Sequence, residues 1–372
     1  MRITRSGPPT WFVAHIPGAH FGGSVVPLTA TRVPAMLDQG SLMMEISLGR
    51  AETTALSLFN LTQGRDVLDL SFDPTQGLHL RHRQGRAEHN VILPLEQGMM
   101  DGGRWLISWR WSRADRSSIL TLEALETGTF YQRITRGPLP LSQADVVELA
   151  TGRGRATISA PVQWLAAGAH LHPHGPGACF APATPIMTPD GLRPAGRLRP
   201  GDLVETIDAG PQPVLWSGRL SLPTFGCFNP VRLCAPYFGA DSDLWVLPQH
   251  RIALSGPAVD YILGEEEVLL PAHHLVDTCT ARQTLRSTVL EWQGILLEDH
   301  HLLIADGFPV ESLAVQGLTA QPSFARTTAL ADLSLAGWMP DHQHLARRAL
   351  APFEAQTLAL ARMQNRTGLA AA

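Results

Sequence analysis

The chain has 372 residues, a net charge of −4, 44% hydrophobic residues and 17% charged residues, which is material for about two domains with packed cores. No basic block occurs, so nothing in the sequence indicates a nucleic-acid partner. Four cysteines in a chain of this length do not make a disulfide scaffold, and because they form no CxxC pair, a zinc site of the usual kind is not expected.

The N-terminal region lacks the features of a targeting segment. Residues 1–20 contain two early arginines but no apolar run long enough for a signal peptide. No stretch of about 18 apolar residues occurs anywhere, so no membrane span is expected. The cytoplasm is the default compartment, and export by a route that reads no N-terminal signal stays open.

From about residue 41 to 135, short apolar runs alternate with turn residues. The runs are "LMMEISL", "ALSLFNL", "VLDLSF", "GLHLRHR", "NVILPL", "WLISWRW", "ILTLEAL" and "TFYQRIT". Such runs, roughly 8–12 residues apart, are typical of an antiparallel β-sandwich. We therefore expect residues 1–165 to form a jelly-roll-like sandwich, and the region resembles laminin-G-like and concanavalin-like domains. The sequence does not identify a ligand for it.

The run "WLISWRW" places four large side chains on one face of a strand, namely Trp105, Ile107, Trp109 and Trp111. An exposed tryptophan face could stack against sugars, as in lectins. The alternative is a sandwich core, which we favour because tryptophan interleaved with isoleucine is typical of a core face.

Residues 166–178 are predicted to be a linker, because small residues, Gly, Pro and His occur there without periodicity. His170, His172 and His174 alternate and would share one face of an extended segment, where they could hold a metal ion. Solvated side chains are the favoured alternative, since no cysteine or carboxylate lies nearby to complete a tetrahedral set. We predict neither a metal nor a cofactor.

Strand patterns resume after Cys179. Two hairpin signatures occur, at residues 190–191 and 208–210, and apolar runs continue to residue 313. We therefore expect a second β domain over residues 179–313 and an all-β fold class. The tail, residues 314–372, is predicted to be helical, with a helix over 341–363 that Pro352 breaks or kinks. The other cysteines, Cys227, Cys234 and Cys279, are interpreted as small buried hydrophobes.

Five strings in the second domain resemble, in order, those of the Hint module that hedgehog autoprocessing domains and inteins share. They are "ACF", "GDLVET", "LWVLPQHRIAL", "LLPAHHLV" and "LLEDHHLLIADGFPVESL". The similarity is closest to bacterial stand-alone Hint proteins and covers a little over a third of the chain. It implies an autoprocessing domain that follows a β-sandwich passenger.

In that family the first cysteine attacks the carbonyl of the preceding residue and forms a thioester. The resemblance implies Cys179 as the nucleophile and Ala178–Cys179 as the scissile bond. A thiol with an ordinary pKa of about 8.5 is mostly protonated at neutral pH, so it needs a base. The departing amide nitrogen needs a proton, and the oxyanion needs donors. The resemblance implies His250 as this acid and base, since it matches the histidine of the family's Thr/Ser-x-x-His motif.

Leu247 departs from that motif, because it occupies the position of the Thr or Ser. Its side chain can neither donate nor accept a hydrogen bond, so one contact to the scissile peptide or to the histidine is lost. Loss of such a donor raises an acyl-transfer barrier by on the order of 3 kcal/mol, roughly a hundredfold in rate. Cleavage is therefore expected to be slow or absent.

Two residues are candidates for the second catalytic histidine of inteins. Counted back from Gly307, His301 fits the intein spacing and His300 fits the bacterial Hint spacing, so both stay open. Glu311 and Ser312 occupy the place of the intein His-Asn pair and cannot cyclise, which excludes splicing. Water or an outside nucleophile would instead resolve the thioester, and nothing assigns a sterol to the tail.

The sequence thus leaves two hypotheses about function. The first is single-turnover autoproteolysis at Ala178–Cys179, without splicing. The second is a catalytically degenerate Hint scaffold whose β-sandwich acts as a binding or surface module. Leu247 is the residue that favours the second hypothesis.

Overall fold

The computed structural model describes residues 10–17, 25–28, 33–49, 54–96, 102–177, 179–237, 241–277, 279–283 and 287–370. Contacts divide the chain into two compact units, Met1–His174 and Gly175–Ala372, which we call unit 1 and unit 2. Each unit has its own hydrophobic core.

Unit 1 is built from strands of two to ten residues and one described helix. The strands are β1 Trp11–His15, β2 Val25–Pro27, β3 Met36–Leu37, β4 Gln39–Leu48, β5 Leu56–Gln63, β6 Asp66–Asp73, β7 Gly77–Gln84, β8 Ala87–Leu93, β9 Gly103–Ser112, β10 Ser117–Ala124, β11 Thr129–Arg136, β12 Leu141–Ser142, β13 Ala156–Ile158 and β14 Val162–Gly168. The helix, α1, spans Gln143–Thr151.

Two antiparallel sheets form a sandwich in unit 1. Their strand orders are β11-β10-β9-β4-β14-β1-β2 and β13-β5-β6-β7-β8. Strands β4 to β11 coincide with the eight apolar runs of the sequence, so the predicted strands and the all-β fold class are confirmed. Side chains from both sheets meet in one core cluster, as expected when alternate residues of each strand point inward.

The tryptophan face of β9 lies inside this sandwich core. Trp109 and Trp111 are fully buried, and their rings pack with centroids 4.6 Å apart. The Trp109 indole N–H donates to Ser118 Oγ at 2.9 Å, so its polar atom is paired as well. The core interpretation is confirmed, and these side chains are not available as a surface for stacking sugars.

Helix α1 was not expected from the sequence, although the chain there contains both of its end signals. Ser142 is the N-cap and accepts a hydrogen bond from the Asp145 N–H at 3.4 Å. Gly152 ends the helix in the left-handed conformation, with φ of 60°. The helix buries Val146 and Leu149 against the sandwich, because its short apolar stripe faces the core.

The predicted linker over residues 166–178 is corrected in its first half. Residues 166–168 belong to β14, which pairs with β4 on one side and β1 on the other. His170, His172 and His174 are buried rather than solvated. They have partners in the fold that are distant in sequence, since His170 Nδ1 accepts the Thr10 N–H at 3.1 Å and His174 Nδ1 hydrogen-bonds with Ser108 Oγ at 2.9 Å. Within the described part of the chain, no group of three or more potential ligands is arranged to hold a metal ion.

The stability of unit 1 is expected to fall as the pH drops from about 6.5 to about 4. His82 and His89 form a buried cross-strand pair between β7 and β8. Burial, assisted by His89, lowers the pKa of His82 from 6.5 to about 4. The unfolded chain therefore binds the proton more tightly, which removes about 3 kcal/mol of folding free energy across this window.

Urea unfolding as a function of pH measures this loss. His82→Phe should make the dependence shallower by about this amount, since phenylalanine is similar in size and binds no proton, whereas other buried histidines of unit 1 such as His170 still contribute. The matched control is His344→Gln at an exposed position, which should leave the dependence unchanged. An unaltered pH profile in a folded His82→Phe protein would contradict the assignment.

Unit 2 contains the remaining strands and short helices. The strands are β15 Pro185–Thr188, β16 Gly191–Pro194, β17 Leu203–Thr206, β18 Gly210–Pro213, β19 Trp216–Pro223, β20 Val231–Leu233, β21 Leu244–Val246, β22 Arg251–Ser255, β23 Glu267–Pro271, β24 Ala281–Gln283, β25 Val289–Leu296, β26 Leu302–Ala305, β27 Phe308–Glu311 and β28 Arg348–Ala349. The helices are α2 Pro257–Leu263, α3 Pro322–Ala325, α4 Ala331–Ala336 and α5 Pro352–Ala370.

The main sheet of unit 2 has the order β16-β15-β26-β27-β22-β23-β28, and β17 joins β26 at its side. Both predicted hairpins are confirmed, since β15 pairs with β16 and β17 pairs with β18 across them. Two further antiparallel assemblies, β19-β25 and β21-β20-β24, complete the unit. Because β22 and β27 are neighbours, the residues at their ends lie close together.

The predicted helix over residues 341–363 begins only at Pro352. Proline is favoured at the first helical position, where its missing N–H needs no partner. The preceding residues pair elsewhere, since Leu269 in β23 aligns with Ala349 in β28. No helix among the described residues is both long and apolar enough to cross a membrane.

Candidate active site

Cys179 is held by backbone hydrogen bonds at the point where three segments of unit 2 meet. Its N–H and that of Phe180 both donate to the Gln293 carbonyl in β25, at 3.1 and 3.0 Å. Its own carbonyl accepts the Leu247 N–H at 3.1 Å. Phe180 bridges to Val246 at the end of β21 and to Gln293. The backbone of the candidate nucleophile is therefore fixed on both sides.

The thiol of Cys179 is protonated in this arrangement. Burial and the nearby Glu311 carboxylate raise the pKa of Cys179 to about 12, against a smaller opposing effect of Arg251. Sγ points back along the chain and donates to the Gly177 carbonyl at 3.6 Å. The other half of the expected scissile bond, Ala178, lies outside the described residues. Since the thiolate is the nucleophile, a base must remove the proton during any attack.

His250 lies beside the cysteine segment, immediately before β22. Its N–H donates to the Leu247 carbonyl at 3.0 Å, and its ring packs edge-on against Phe180 with centroids 4.7 Å apart. The side chain is 1% exposed, and neither ring nitrogen hydrogen-bonds to a described residue. Burial lowers the pKa of His250 to about 4, although Glu311 acts in the opposite direction. The imidazole is therefore neutral at neutral pH, and no described residue occupies either ring nitrogen with a hydrogen bond.

A buried carboxylate, Glu311, lies at the end of β27 next to this histidine. Its Oε1 accepts the Arg251 N–H at 2.8 Å and is 3.9 Å from His250 Nδ1. Its Oε2 accepts from Arg251 Nε at 2.8 Å and from His300 Nε2 at 3.2 Å. Burial opposes ionisation, but Arg251 and His300 together hold the pKa of Glu311 to about 2. The carboxylate is therefore charged under all ordinary conditions.

The two adjacent histidines have different surroundings. His300 is buried, and its Nδ1 accepts the Ala346 N–H at 3.0 Å, so Nε2 carries the proton that it donates to Glu311. His301 is only partly buried, and its backbone pairs with Ser312. Its electrostatic neighbour is Asp208, whose pKa is lowered mainly by Arg347 and slightly by His301. The structure thus brings His300, and not His301, to the carboxylate beside His250.

Leu247, the motif departure, contributes its backbone to the site and its side chain to a small apolar cluster. The cluster contains Leu222 and Trp292, and Leu247 is 9% exposed. The hydrogen bonds of Leu247 to Cys179 and His250 use main-chain atoms only. A side-chain hydroxyl is therefore missing at the position that joins the candidate nucleophile to the candidate base.

Two charged neighbours of His250 escaped the sequence analysis in this role. The motifs that are read along the chain assign no role to Arg251, and they include Glu311 only as a residue that cannot cyclise. The usable signal was a carboxylate within the apolar run "FPVESLAV", because a charge in a buried strand needs a partner. The cysteine interpretation holds for Cys227 and Cys234, which are buried, and is wrong for Cys279, which is exposed.

Comparison with known proteins gives both a family and a set of distant structures. Solved structures similar to this chain include the MchDnaB-1 intein, at 14% identity over 36% of this chain and 98% of that one, with a TM-score of 0.26. The gp41-1 intein matches at 14% identity over the same shares, with a TM-score of 0.24.

The Ruminococcus gnavus IT-sialidase CBM40 bound to α2,3-sialyllactose matches at 12% identity, over 35% of this chain and 75% of that one, with a TM-score of 0.25. No curated protein sequence matches the chain. The family match is to the Hint domain and spans residues 178–317, so it begins one residue before Cys179 and includes His250, His300 and Glu311. This part of the chain is a Hint domain.

Proposed function

We propose that this protein is self-processing, and that its Hint domain cleaves the chain between Ala178 and Cys179. The observation that carries the proposal is the position of His250. It is a buried imidazole without a hydrogen-bonding partner among the described residues, and it packs on the residue that follows the cysteine. A buried polar group without a partner is costly unless it serves the chemistry of its site.

The proposed reaction moves one proton twice. Neutral His250 takes the proton of the Cys179 thiol, and the sulfur forms a bond to the Ala178 carbonyl carbon. The imidazolium then gives that proton to the amide nitrogen of Cys179 as the carbon–nitrogen bond breaks. The products are a thioester on Ala178 and a free amine on Cys179. Water or an outside nucleophile resolves the thioester, which regenerates the thiol and releases residues up to 178 as a passenger.

Intact mass over time, with and without dithiothreitol, tests this proposal. We expect the 40.4 kDa chain to give two fragments of about 19 and 21 kDa, an estimate from residue count. Dithiothreitol should increase their yield, because a thiol intercepts a thioester. Cys179→Ala should abolish cleavage.

The matched control is Cys279→Ala, which removes the exposed cysteine and should cleave like the natural chain. Equal cleavage by Cys179→Ala and the natural chain would exclude the proposed nucleophile. Fragments whose masses place the break elsewhere would exclude the proposed bond.

A second candidate function is an inert Hint scaffold whose sandwich acts as a binding or surface module. Two observations favour it: the apolar side chain at Leu247, and a Cys179 thiol that donates to a carbonyl rather than to a histidine. This candidate predicts an unchanged full-length chain after long incubation with hydroxylamine or dithiothreitol. Any thioester-derived fragment would count against it.

A further inference from the structure

The carboxylate of Glu311 has more partners than a structural ion pair requires. The Arg251 backbone N–H and guanidinium and the His300 imidazole all donate to it, and its side chain is only 8% exposed. His300 is itself aligned by the Ala346 N–H and packs against the ring of His342 at 5.9 Å. Donors from two segments, distant in sequence, thus hold one charged group in one place, and a third segment aligns one of these donors.

The group is aimed at His250. Oε1 lies 3.9 Å from Nδ1, which is too long for a hydrogen bond and short enough for a strong interaction between charges. In a buried site such an interaction is little screened by solvent. The resting imidazole is neutral, so the pair gains its full attraction only when His250 carries a proton. That state occurs only after the thiol proton has moved.

We infer that Glu311 is a positioning residue for the acyl shift, acting as the counter-ion that stabilises the imidazolium of His250 while Arg251 and His300 hold it in place. This inference rests on the proposed function for its role in cleavage. The interaction between the carboxylate and the imidazole can be tested without any cleavage. The arrangement serves transition-state stabilisation, because the charges are oriented before the proton moves.

The charges around His250 predict opposite effects of two neighbouring substitutions. Glu311→Gln removes the anion and leaves Arg251, so it should lower the proton affinity of His250 about tenfold or more. Arg251→Gln removes the cation and leaves the carboxylate, so it should raise that affinity. A merely structural role predicts a different pattern. Either variant would then loosen the packing around His250 and admit water to the imidazole, so both variants would raise the proton affinity of His250.

The measurement is an NMR titration of the full chain with labelled histidine, in which the His250→Gln spectrum identifies the resonance of His250. The double variant Glu311→Gln/Arg251→Gln covers the case in which Glu311→Gln does not fold, because it leaves neither member of the ion pair unpaired. It should bind the His250 proton more weakly than Arg251→Gln alone. Cleavage by folded Glu311→Gln, followed by intact mass, should slow at least tenfold.

The outcomes distinguish the counter-ion role of Glu311 from the proposed self-processing function. Opposite shifts of His250 with no thioester in the natural chain would support the counter-ion and overturn the proposed function. Normal cleavage in Glu311→Gln, or an increased proton affinity of His250 in that variant, would overturn the counter-ion and leave the proposed function standing. If the double variant and Arg251→Gln bind the proton equally well, the inference is also overturned.

Discussion

Replacement of Leu247 by threonine is expected to accelerate thiol-induced cleavage by roughly a hundredfold, the effect of restoring one donor near an acyl-transfer centre. The backbone of Leu247 already contacts both Cys179 and His250. A hydroxyl on Cβ of this residue would therefore lie next to the backbone atoms that make these contacts. The quantity to measure is the rate of fragment formation with dithiothreitol, by intact mass.

Valine is the matched control at this position, because it has the shape of threonine without the hydroxyl. Both substitutions remove the same contacts with Leu222 and Trp292, and each should lower the stability of the domain by about 1–2 kcal/mol. Leu247→Val should therefore be at least as stable as Leu247→Thr, since it buries no hydroxyl, and no faster than the natural chain. Equal acceleration by both variants would show that side-chain size, and not the hydroxyl, limits the reaction. A folded Leu247→Thr protein with an unchanged rate would refute the explanation of slow cleavage.

Trp109→Ala is expected to destabilise the sandwich by about 3–5 kcal/mol, as for other buried tryptophans and phenylalanines. The side chain is 1% exposed and lies in the core between the two sheets. Its loss leaves a large cavity beside Trp111 and removes the donor to the buried Ser118 hydroxyl. Hydrogen exchange followed by mass spectrometry is the suitable measurement, because it reports on each unit separately.

Peptides from β9 and β10 should exchange faster in Trp109→Ala, while peptides from unit 2 should keep their natural rates. Ile92→Ala is the control, because Ile92 lies in the same sandwich and is 48% exposed. This substitution should change the free energy of opening, obtained from the exchange rates, by less than about 1 kcal/mol. If Trp109→Ala does not fold, Trp109→Phe should accelerate exchange in the same peptides, by a smaller factor. A Trp109→Ala protein as stable as the Ile92→Ala control would contradict the core assignment.

Much of the fold was predictable because its signals are local. The alternation in "WLISWRW" and the turn chemistry at residues 190–191 act over a few residues, and both produced the expected strands. Residues 341–351 do not form the predicted helix. Their apolar spacing suits a helix, but pairing with β23 and a hydrogen bond to His300 use their backbone instead.

The candidate site was predictable only in part. Cys179 and His250 follow from a motif that is read along the chain, and the structure places their segments in contact. The choice between His300 and His301 could not be made from spacing. Both residues lie just before β26, and only the pairing of β26 with β27, which sets Leu302 opposite Glu311, decides which of them reaches that carboxylate.

By itself, the sequence determined the β-rich pattern, the hairpin positions, the order of the Hint strings and the loss of a hydroxyl at Leu247. Only the tertiary structure decided that Glu311 and Arg251, 60 residues apart, form one charged pair beside His250. It also decided that His170, His172 and His174 are buried. The physical reason is that alternation and turns depend on neighbours along the chain, whereas burial and charge pairing depend on which strands become neighbours in a sheet.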